Sequence, residues 1–204
     1  MKKILFIASI ISIFNSQFPI SQAQGRFDAH AFAGLNMCQL DGDLAGNYGH
    51  PGLRAGVGTS FALGDDLGSP WRMVVELAFT NKGSYNKSYN TTLSVNYVEL
   101  PLLLSYNTLE NRLRIAAGIA PAVKVGASFT DGSGWADDFT TVDWLPLTVS
   151  LRYRFTDHLG IEGRFQYSAL SVTNDNIGNG TYFLFRSNKG CFHNLVGVGL
   201  DYTF

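Results

Sequence analysis

Large apolar residues alternate with small or polar residues along most of this chain, and the final segment, NLVGVGLDYTF (194–204), follows the pattern throughout. Val196, Val198, Leu200, Tyr202 and Phe204 share one parity, whereas Gly, Asp and Thr occupy the other. A period of two is typical of a β-strand, because successive side chains point to opposite faces of the sheet. We therefore expect the chain to end in a strand with one apolar face.

The same period predicts eight strands separated by clusters rich in Gly, Asn and Asp. They lie at residues 27–38, 51–63, 71–81, 93–106, 112–127, 143–155, 159–171 and 192–204. Most of these segments are longer than ten residues, whereas strands in soluble proteins usually have about five or six. A strand that crosses a membrane needs about 9–11 residues. The lengths therefore favour a transmembrane β-barrel.

The two faces of each strand differ in residue size, which indicates the side that faces lipid. One parity carries Leu, Ile, Val and aromatic residues, and the other carries Gly, Ala and Ser between charges, as a narrow eight-stranded lumen requires. Trp71, Tyr106, Tyr153 and Tyr202 lie on the apolar parity near strand ends, where the aromatic girdle of a membrane barrel lies. We predict an all-β, eight-stranded antiparallel up-and-down transmembrane β-barrel with a plugged polar interior. A soluble periplasmic barrel with a lipid-binding cavity is the alternative.

The connections between the strands alternate in length. Short gaps follow the second, fourth and sixth strands, and longer gaps occupy residues 39–50, 82–92, 128–142 and 172–191. Outer-membrane barrels combine short periplasmic turns with long extracellular loops. The alternation predicts an outer-membrane location, both termini in the periplasm and four extracellular loops.

The N-terminal segment predicts export. Lys2 and Lys3 precede an apolar run at 4–14, and Ser21 and Ala23 occupy the small-residue positions of a cleavage site. This pattern is typical of a secretory signal peptide, since a spanning helix would need about 20 apolar residues. We predict a cleaved signal peptide at 1–23 and one outer-membrane β-barrel domain at 24–204. The net charge of −1 gives no reason to expect a nucleic-acid partner.

Several stretches resemble the PorT-like family of outer-membrane β-barrel proteins. YVELPLLLSYN (97–107) is similar to that family's Tyr-x-Glu-x-Pro-Leu-Leu-Leu stretch, and ELAFTNKGS (76–84) to the Lys-Gly that ends its preceding strand. LRAGVG (53–58) and RIAAGIAPAV (114–123) resemble its second and fifth strands. The resemblance implies a barrel rather than an activity. The member that names the family is implicated in building a secretion apparatus.

The end of the chain also resembles a known signal. Alternating apolar residues and a terminal Phe are similar to the C-terminal signal that the outer-membrane barrel assembly machinery reads. The resemblance implies that Tyr202 and Phe204 act in assembly, with that machinery as a transient partner and membrane lipid as the permanent one.

Pro101 conflicts with a central strand, because proline donates no ladder hydrogen bond. The apolar parity also changes in this segment: Leu93 and Val95 are odd-numbered, whereas Val98 and Leu100 are even-numbered. A β-bulge near 96–98 would explain the change and tolerate the proline. Glu99 would then point inward.

Charged residues of the polar parity should meet inside the barrel. We expect them to pair or to be hydrated in so narrow a lumen. They form a predicted network that fills the lumen, or else a cation-rich path for small anions: Arg54, Arg72, Glu76, Glu99, Arg114, Lys124, Arg152, Arg154, Glu162, Arg164 and Asp201.

Catalytic and metal-binding patterns are weak. The chain contains no Gly-x-Ser-x-Gly and no His-Glu-x-x-His, and its histidines fit structural roles (His30, His50, His158 and His193). The loop acids do not have the spacing of a calcium loop (Asp41, Asp43, Asp131, Asp137 and Asp138). We predict a non-enzymatic protein without catalytic residues, metal or cofactor. It would act through its loops in binding or adhesion, or support another envelope complex. A narrow channel and an accessory factor for a secretion system are the alternatives.

The two cysteines lie at the same predicted rim. Cys38 ends the first strand and Cys191 precedes the last, and these strands are neighbours in a closed barrel. A disulfide needs Cα atoms about 4.4–6.8 Å apart, so the pair can form one if the register permits. We predict a Cys38–Cys191 disulfide, with two thiols as the alternative.

Overall fold

The computed structural model describes residues 27–43, 45, 47–64, 69–130, 138–173 and 190–204. The predicted signal peptide lies outside these residues. The described residues form eleven strands: β1 (Phe27–Asp41), β2 (His50–Ala62), β3 (Trp71–Asn86), β4 (Thr91–Glu99), β5 (Leu102–Thr108), β6 (Leu113–Ile119), β7 (Ala122–Phe129), β8 (Val142–Asp143), β9 (Pro146–Arg154), β10 (Leu159–Ser168) and β11 (Phe192–Thr203).

The strands form a closed antiparallel barrel. Its wall has eight segments, which we call staves, and each stave is either one strand or two strands in line. Three staves are each divided in two, as β4 with β5, β6 with β7, and β8 with β9, and the other five are single strands. β1 pairs with β11 along twelve residue pairs, which joins the first stave to the last. The predicted eight-stranded up-and-down barrel is therefore confirmed.

The register shows that the staves are inclined to the barrel axis. Starting at Asp28 and following paired residues once around the wall returns to Cys38, ten residues further along β1 (38 minus 28). The path runs through Ser60, Val74, Leu103, Gly118, Thr148, Gln166 and Leu195. Such a stagger requires tilted staves, about 35–45° in barrels of this kind.

Three neighbouring staves are interrupted at prolines. The breaks fall at Leu100–Pro101, at Ala120–Pro121 and at Trp144–Leu145, directly before Pro146, and at each of them the missing donor would disturb a regular ladder. The proline carbonyls still accept hydrogen bonds across the breaks, from the backbone N–H groups of Glu76, Leu100 and Ala120 at 2.9–3.0 Å.

The bulge occurs at the predicted height but in the neighbouring stave. Asn96 pairs with Gly126 and Tyr97 with Lys124, so the additional residue is Val125 of β7. β4 itself keeps one parity, because Leu93, Val95, Tyr97 and Glu99 are all buried inside. The predicted change of parity within 93–106 is therefore wrong. The apolar residues Leu93 and Val95 face the lumen, not lipid.

The outer wall is apolar. Leu35, Leu53, Val57, Leu77 and Val198 are each 50–61% exposed in the isolated chain. Aromatic residues ring the wall at one end: Phe27, Trp71, Tyr106, Tyr153, Phe155, Tyr202 and Phe204. We call this end, which carries the short connections and the C-terminus, the turn end, and the opposite end the loop end. Within the described ranges, no helix is long and apolar enough to cross a membrane.

One predicted long loop is mostly strand. β3 continues to Asn86 and β4 starts at Thr91, and their pairing extends to Asn86 and Thr91. A four-residue turn at 87–90 therefore replaces the predicted loop at 82–92, and the hairpin projects further at the loop end.

Candidate functional site

A central network of ion pairs crosses the middle of the lumen. It consists of three arginines and three carboxylates from β2, β3, β9, β10 and β11: Arg54, Arg152, Arg164, Glu76, Glu162 and Asp201. In β2, β3, β9 and β10 the even-numbered members of the network point inward, and in β11 Asp201 does. Because side chains alternate between the two faces of a strand, the charged side chains of all five strands point toward the barrel axis.

Glu76 and Glu162 each receive several arginines. Glu76 lies 2.7 Å from Arg54 and 2.8 Å from Arg164. Glu162 lies 2.7 Å from both Arg152 and Arg164, and Arg152 also reaches Asp201 at 3.3 Å. All six side chains are at least nine-tenths buried. Since charges buried at this depth need partners, the arrangement holds the lumen closed at this height.

A second polar cluster fills the turn end of the lumen. Arg72 lies 3.0 Å from Asp28, and Arg114 donates to Asn107 and Ser60. Arg154 lies outside the lumen network: its half-buried side chain donates to the backbone oxygen of Asn111. As the last residue of β9, it lies at the turn end.

Lys82 and Asp143 lie in the lumen although the sequence analysis did not select them. Lys82 is fully buried, 2.8 Å from Glu99 and 3.9 Å from Asp143. Asp143 also accepts a hydrogen bond from Ser168 at 2.5 Å. Extending the even parity of β3 past residue 81 would have placed Lys82 inside. A predicted loop at 82–92 excludes Lys82 from the strand.

The two sequence stretches with the clearest family resemblance meet at this point. Tyr97 and Glu99 come from YVELPLLLSYN, and Lys82 from ELAFTNKGS. The Lys82 ammonium lies 5.1 Å from the centre of the Tyr97 ring and forms the ion pair with Glu99. Gly83 is required beside it, because a Cβ there would lie 2.1 Å from the Leu93 carbonyl oxygen. These motifs therefore stabilise the barrel interior.

An apolar cap closes the lumen at the loop end. It consists of Leu40, Leu93, Val95, Tyr97, Ala122, Phe139, Val172 and Cys191, with Ala127 and Phe129 packed against them. The plug of the predicted polar interior thus includes an apolar cluster at this end. The apolar side chains of the cap include residues that the connections β7–β8 and β10–β11 insert.

Hydrogen bonds hold these inserted residues. Lys124 donates to the Phe139 carbonyl at 2.6 Å, and Phe139 stacks on His193 with ring centres 5.8 Å apart. The Thr140 N–H donates to the Val172 carbonyl, and the Val172 N–H donates to that of Cys191, each at 2.8 Å. Lys124 therefore holds the cap, whereas its parity predicts a place in the charge network.

The histidines have structural contacts. His30 lies 3.4 Å from Glu76, His193 lies 3.1 Å from the Tyr97 hydroxyl, and His50 lies 3.0 Å from the Asn81 side-chain oxygen. His158 belongs to the β9–β10 turn, where its Nδ1 lies 2.8 Å from the Thr203 carbonyl. His30 and His193 occupy different heights, one in the central network and one beneath the cap.

The register separates the two cysteines. Cys38 pairs with Leu195, so Cys191 lies four positions further along its own stave, about 13 Å at 3.3 Å per residue. Both are buried thiols in this structure. The register therefore removes the geometric basis of the predicted disulfide.

The loop acids have hydrogen-bond partners. Asp41 accepts from Gln39 and Asn194, and Asp43 accepts from Ser84 and from the Ala45 N–H. Among the residues that the structure describes, no group of three or more His, Cys, Asp or Glu could hold a metal ion. Asp131 and Asp137 lie outside the described residues.

The end of the chain is fixed at the turn end. Tyr202 stacks on His158 with ring centres 5.6 Å apart, and Phe204 packs edge-on against Tyr202 at 5.3 Å. The backbone N–H of Phe204 donates to the Ala29 carbonyl at 3.0 Å, so the last residue bonds to the first stave. Both aromatic rings face outward, Phe204 being 73% exposed.

The β3–β4 hairpin tip projects from the loop end. Its exposed turn comprises Lys87, Ser88, Tyr89 and Asn90, and Tyr89 is 79% exposed. Asn86 accepts hydrogen bonds from the Ser88 and Tyr89 N–H groups, and the Tyr85 hydroxyl donates to the Asn90 side-chain oxygen at 3.0 Å. The tip is therefore a preorganised polar and aromatic surface.

A family profile matches most of the chain. The profile of the outer membrane protein β-barrel domain covers residues 15–174. The chain belongs to this family. It is therefore a small outer-membrane β-barrel protein, and its location is the outer membrane. No curated protein matches it.

Several solved structures are similar to this chain. Ail, the attachment invasion locus protein of Yersinia pestis, is 11% identical over 88% of this chain and 99% of its own, with a TM-score of 0.48. Neisserial surface protein A is 10% identical over 88% and 97%, with a TM-score of 0.47. OprG of Pseudomonas aeruginosa is 14% identical over 87% and 94%, with a TM-score of 0.42.

Proposed function

We propose that this protein is a non-enzymatic, non-conducting barrel that binds a ligand or partner through its loop end. The filled lumen is the observation that carries the proposal. The central network closes the middle of the barrel, and the apolar cap closes the loop end. A lumen filled at both heights favours binding at the outer surface over conduction.

We place the loop end outside the cell and both termini in the periplasm. The alternation of connection lengths supports this orientation, because outer-membrane barrels combine short periplasmic turns with longer extracellular connections. The aromatic ring at the turn end is consistent with a membrane interface there. Binding, adhesion, or support of another envelope complex would then take place at the cell surface.

We assign the chain more finely to the PorT-like proteins on the strength of its motifs. Tyr97, Glu99, Lys82 and Gly83 meet in one buried cluster, which gives the motifs a shared structural purpose. Because that purpose is structural, the assignment adds no activity. A role as an accessory factor in secretion would require a partner of the loop end.

The β3–β4 hairpin tip is the part of the loop end that we expect to bind. Tyrosine and asparagine side chains make large, adaptable contacts at a low cost in conformational entropy. The Asn86 side chain orders the turn before any ligand arrives, which reduces the entropy lost on binding.

The test compares capture by purified barrels in lipid nanodiscs. Wild type, a Lys87→Ser/Tyr89→Ser variant and a Glu110→Ser control at the turn end are each exposed to outer-membrane extract and to a panel of surface polysaccharides. We expect wild type and the control to retain the same species, and the hairpin variant to lose at least about tenfold in affinity, about 1.4 kcal/mol. Equal capture by all three barrels would contradict the proposal.

A further inference from the structure

A cavity lies between the central network and the seam at which β11 closes on β1. Its volume is about 10 Å³, room for about one water-sized species. Glycines form its wall on the seam side, where Gly34 pairs with Gly199 and Asn36 pairs with Gly197. The absence of side chains at Gly34, Gly197 and Gly199 leaves the space next to the charged residues.

Three of the residues that line this cavity carry buried donor groups. Nδ2 of Asn36, Nε of Arg54 and Nη1 of Arg164 have no hydrogen-bond partner among the described protein atoms. These residues are 2%, 8% and 5% exposed, so bulk water does not reach them freely. A buried donor without an acceptor destabilises the folded protein. All three groups therefore call for an acceptor of about one atom in size.

Charge balance decides the nature of that acceptor. The central network contains three arginines and three carboxylates, which leaves no net charge for an anion to compensate. Glu162 also lines the cavity, and its carboxylate would repel an anion. A neutral acceptor fits where a halide does not.

We infer that the cavity is a site for one internal water molecule, which joins β1, β2 and β10 across the closing seam through Asn36, Arg54 and Arg164. The water accepts from Asn36 Nδ2 and from one of the two guanidinium groups, because its oxygen has two lone pairs, and its own protons face the Glu162 carboxylate. The site is independent of what the loop end binds. It stabilises the closure of the first stave against the last.

The test is a high-resolution crystal structure of the full barrel grown in sodium bromide. We expect one oxygen-sized peak within about 2.7–3.2 Å of Asn36 Nδ2 and at least one of the two guanidinium groups, without anomalous signal. An anomalous bromide peak would overturn the neutral site in favour of a halide. A cavity without density would overturn the site altogether.

A pair of matched glycine substitutions separates the water from simple packing. A Cβ at Gly197 would lie 2.4 Å from the Asn36 side-chain oxygen and would displace that amide, whereas a Cβ at Gly163 would meet nothing within 4 Å. We expect Gly197→Ala to lose the peak and to lower Tm by about 2–4 °C. We expect Gly163→Ala to keep the peak and the Tm of the wild type. A peak that persists in Gly197→Ala with the Asn36 amide displaced would contradict the role of Asn36.

Discussion

At the scale of single residues, the interior depends on charges that cannot be removed one at a time. Glu76 is paired with Arg54 and Arg164, and it also lies 3.4 Å from Arg152. Breaking a buried ion pair is costly because the remaining charge stays buried without its partner. The same chemistry at the surface contributes little, since solvent screens exposed charges.

The first prediction follows from this contrast. Glu76→Gln should lower the free energy of unfolding by about 3–5 kcal/mol, because three arginines would then share one fewer carboxylate. Glu110→Gln makes the same chemical change at an exposed turn position and should change it by less than about 1 kcal/mol. Urea titration of barrels folded in detergent micelles measures both values. Equal effects from the two substitutions would contradict the buried network.

Most lumen residues could be predicted from parity alone, and the exceptions have physical reasons. The polar residues after 81 predict a loop, but β3 continues there and Lys82 follows its even, inward-facing parity. Leu93 and Val95 fit a lipid-facing position equally well, because an apolar side chain does not indicate whether lipid or an apolar part of the lumen surrounds it. Phe139 reaches the lumen from a connection, which no strand pattern encodes.

At the scale of elements, the β5–β6 turn has an unusual backbone. Leu109, Glu110 and Asn111 have φ angles of 50°, 56° and 66°, and all three carry side chains. The left-handed region costs about 1–2 kcal/mol for a residue with a Cβ, less for Asn. The turn therefore keeps strain that a glycine would relieve.

The second prediction uses that strain. Leu109→Gly should raise the free energy of unfolding by about 0.5–1 kcal/mol. The substitution removes the steric cost of a left-handed backbone at an exposed position, and this gain is larger than the entropy cost of ordering a glycine. Thr108→Gly, one residue earlier in strand conformation, should lower it instead. The same urea titration compares them. A destabilised Leu109→Gly variant would show that the backbone there is not left-handed.

The third prediction tests the β1–β11 register. Because Cys38 and Cys191 lie four positions apart along the wall, protein unfolded without reductant and treated with an alkylating reagent should carry two adducts, and a Cys38→Ser variant should carry one. Mass spectrometry counts the adducts. A protein that carries no adduct until it is reduced would place the two staves in a different register.

The bulge shows how far an element can be located from sequence. The register does shift at the predicted height, between Asn96 and Tyr97. The additional residue, Val125, lies in β7, so β4 keeps one parity and the change of parity that predicted the bulge does not occur. Sequence locates the height of such a defect, and only the register assigns it to a strand.

At the scale of the whole molecule, the two ends of the barrel differ. The turn end is ringed by aromatic residues and holds the C-terminus, and the loop end carries the apolar cap and the β3–β4 hairpin tip. A closed barrel leaves no open strand edge in lipid, and β11 achieves this by pairing with β1 up to Thr203. The last residues are thus part of the closure.

The fourth prediction concerns assembly. Replacing Tyr202 and Phe204 with Ser should leave export intact but impair insertion, because both outward rings and the proposed C-terminal signal would be lost. Cell fractionation should then show protein accumulating in the periplasm, whereas a Tyr89→Ser control at the loop end should reach the outer membrane normally. Normal outer-membrane levels of the doubly substituted protein would argue against a C-terminal signal.

Conductance across a planar lipid bilayer tests the central claim, that the lumen is filled and closed. Wild-type barrels inserted at known density should give no ion-conducting steps above the lipid background. A Phe139→Ala/Glu76→Ala variant, which removes a cap side chain and a carboxylate of the central network, should conduct more than wild type if it folds, with the shift on SDS gels serving as the folding control. Regular, reproducible conductance steps from wild-type protein would contradict the account.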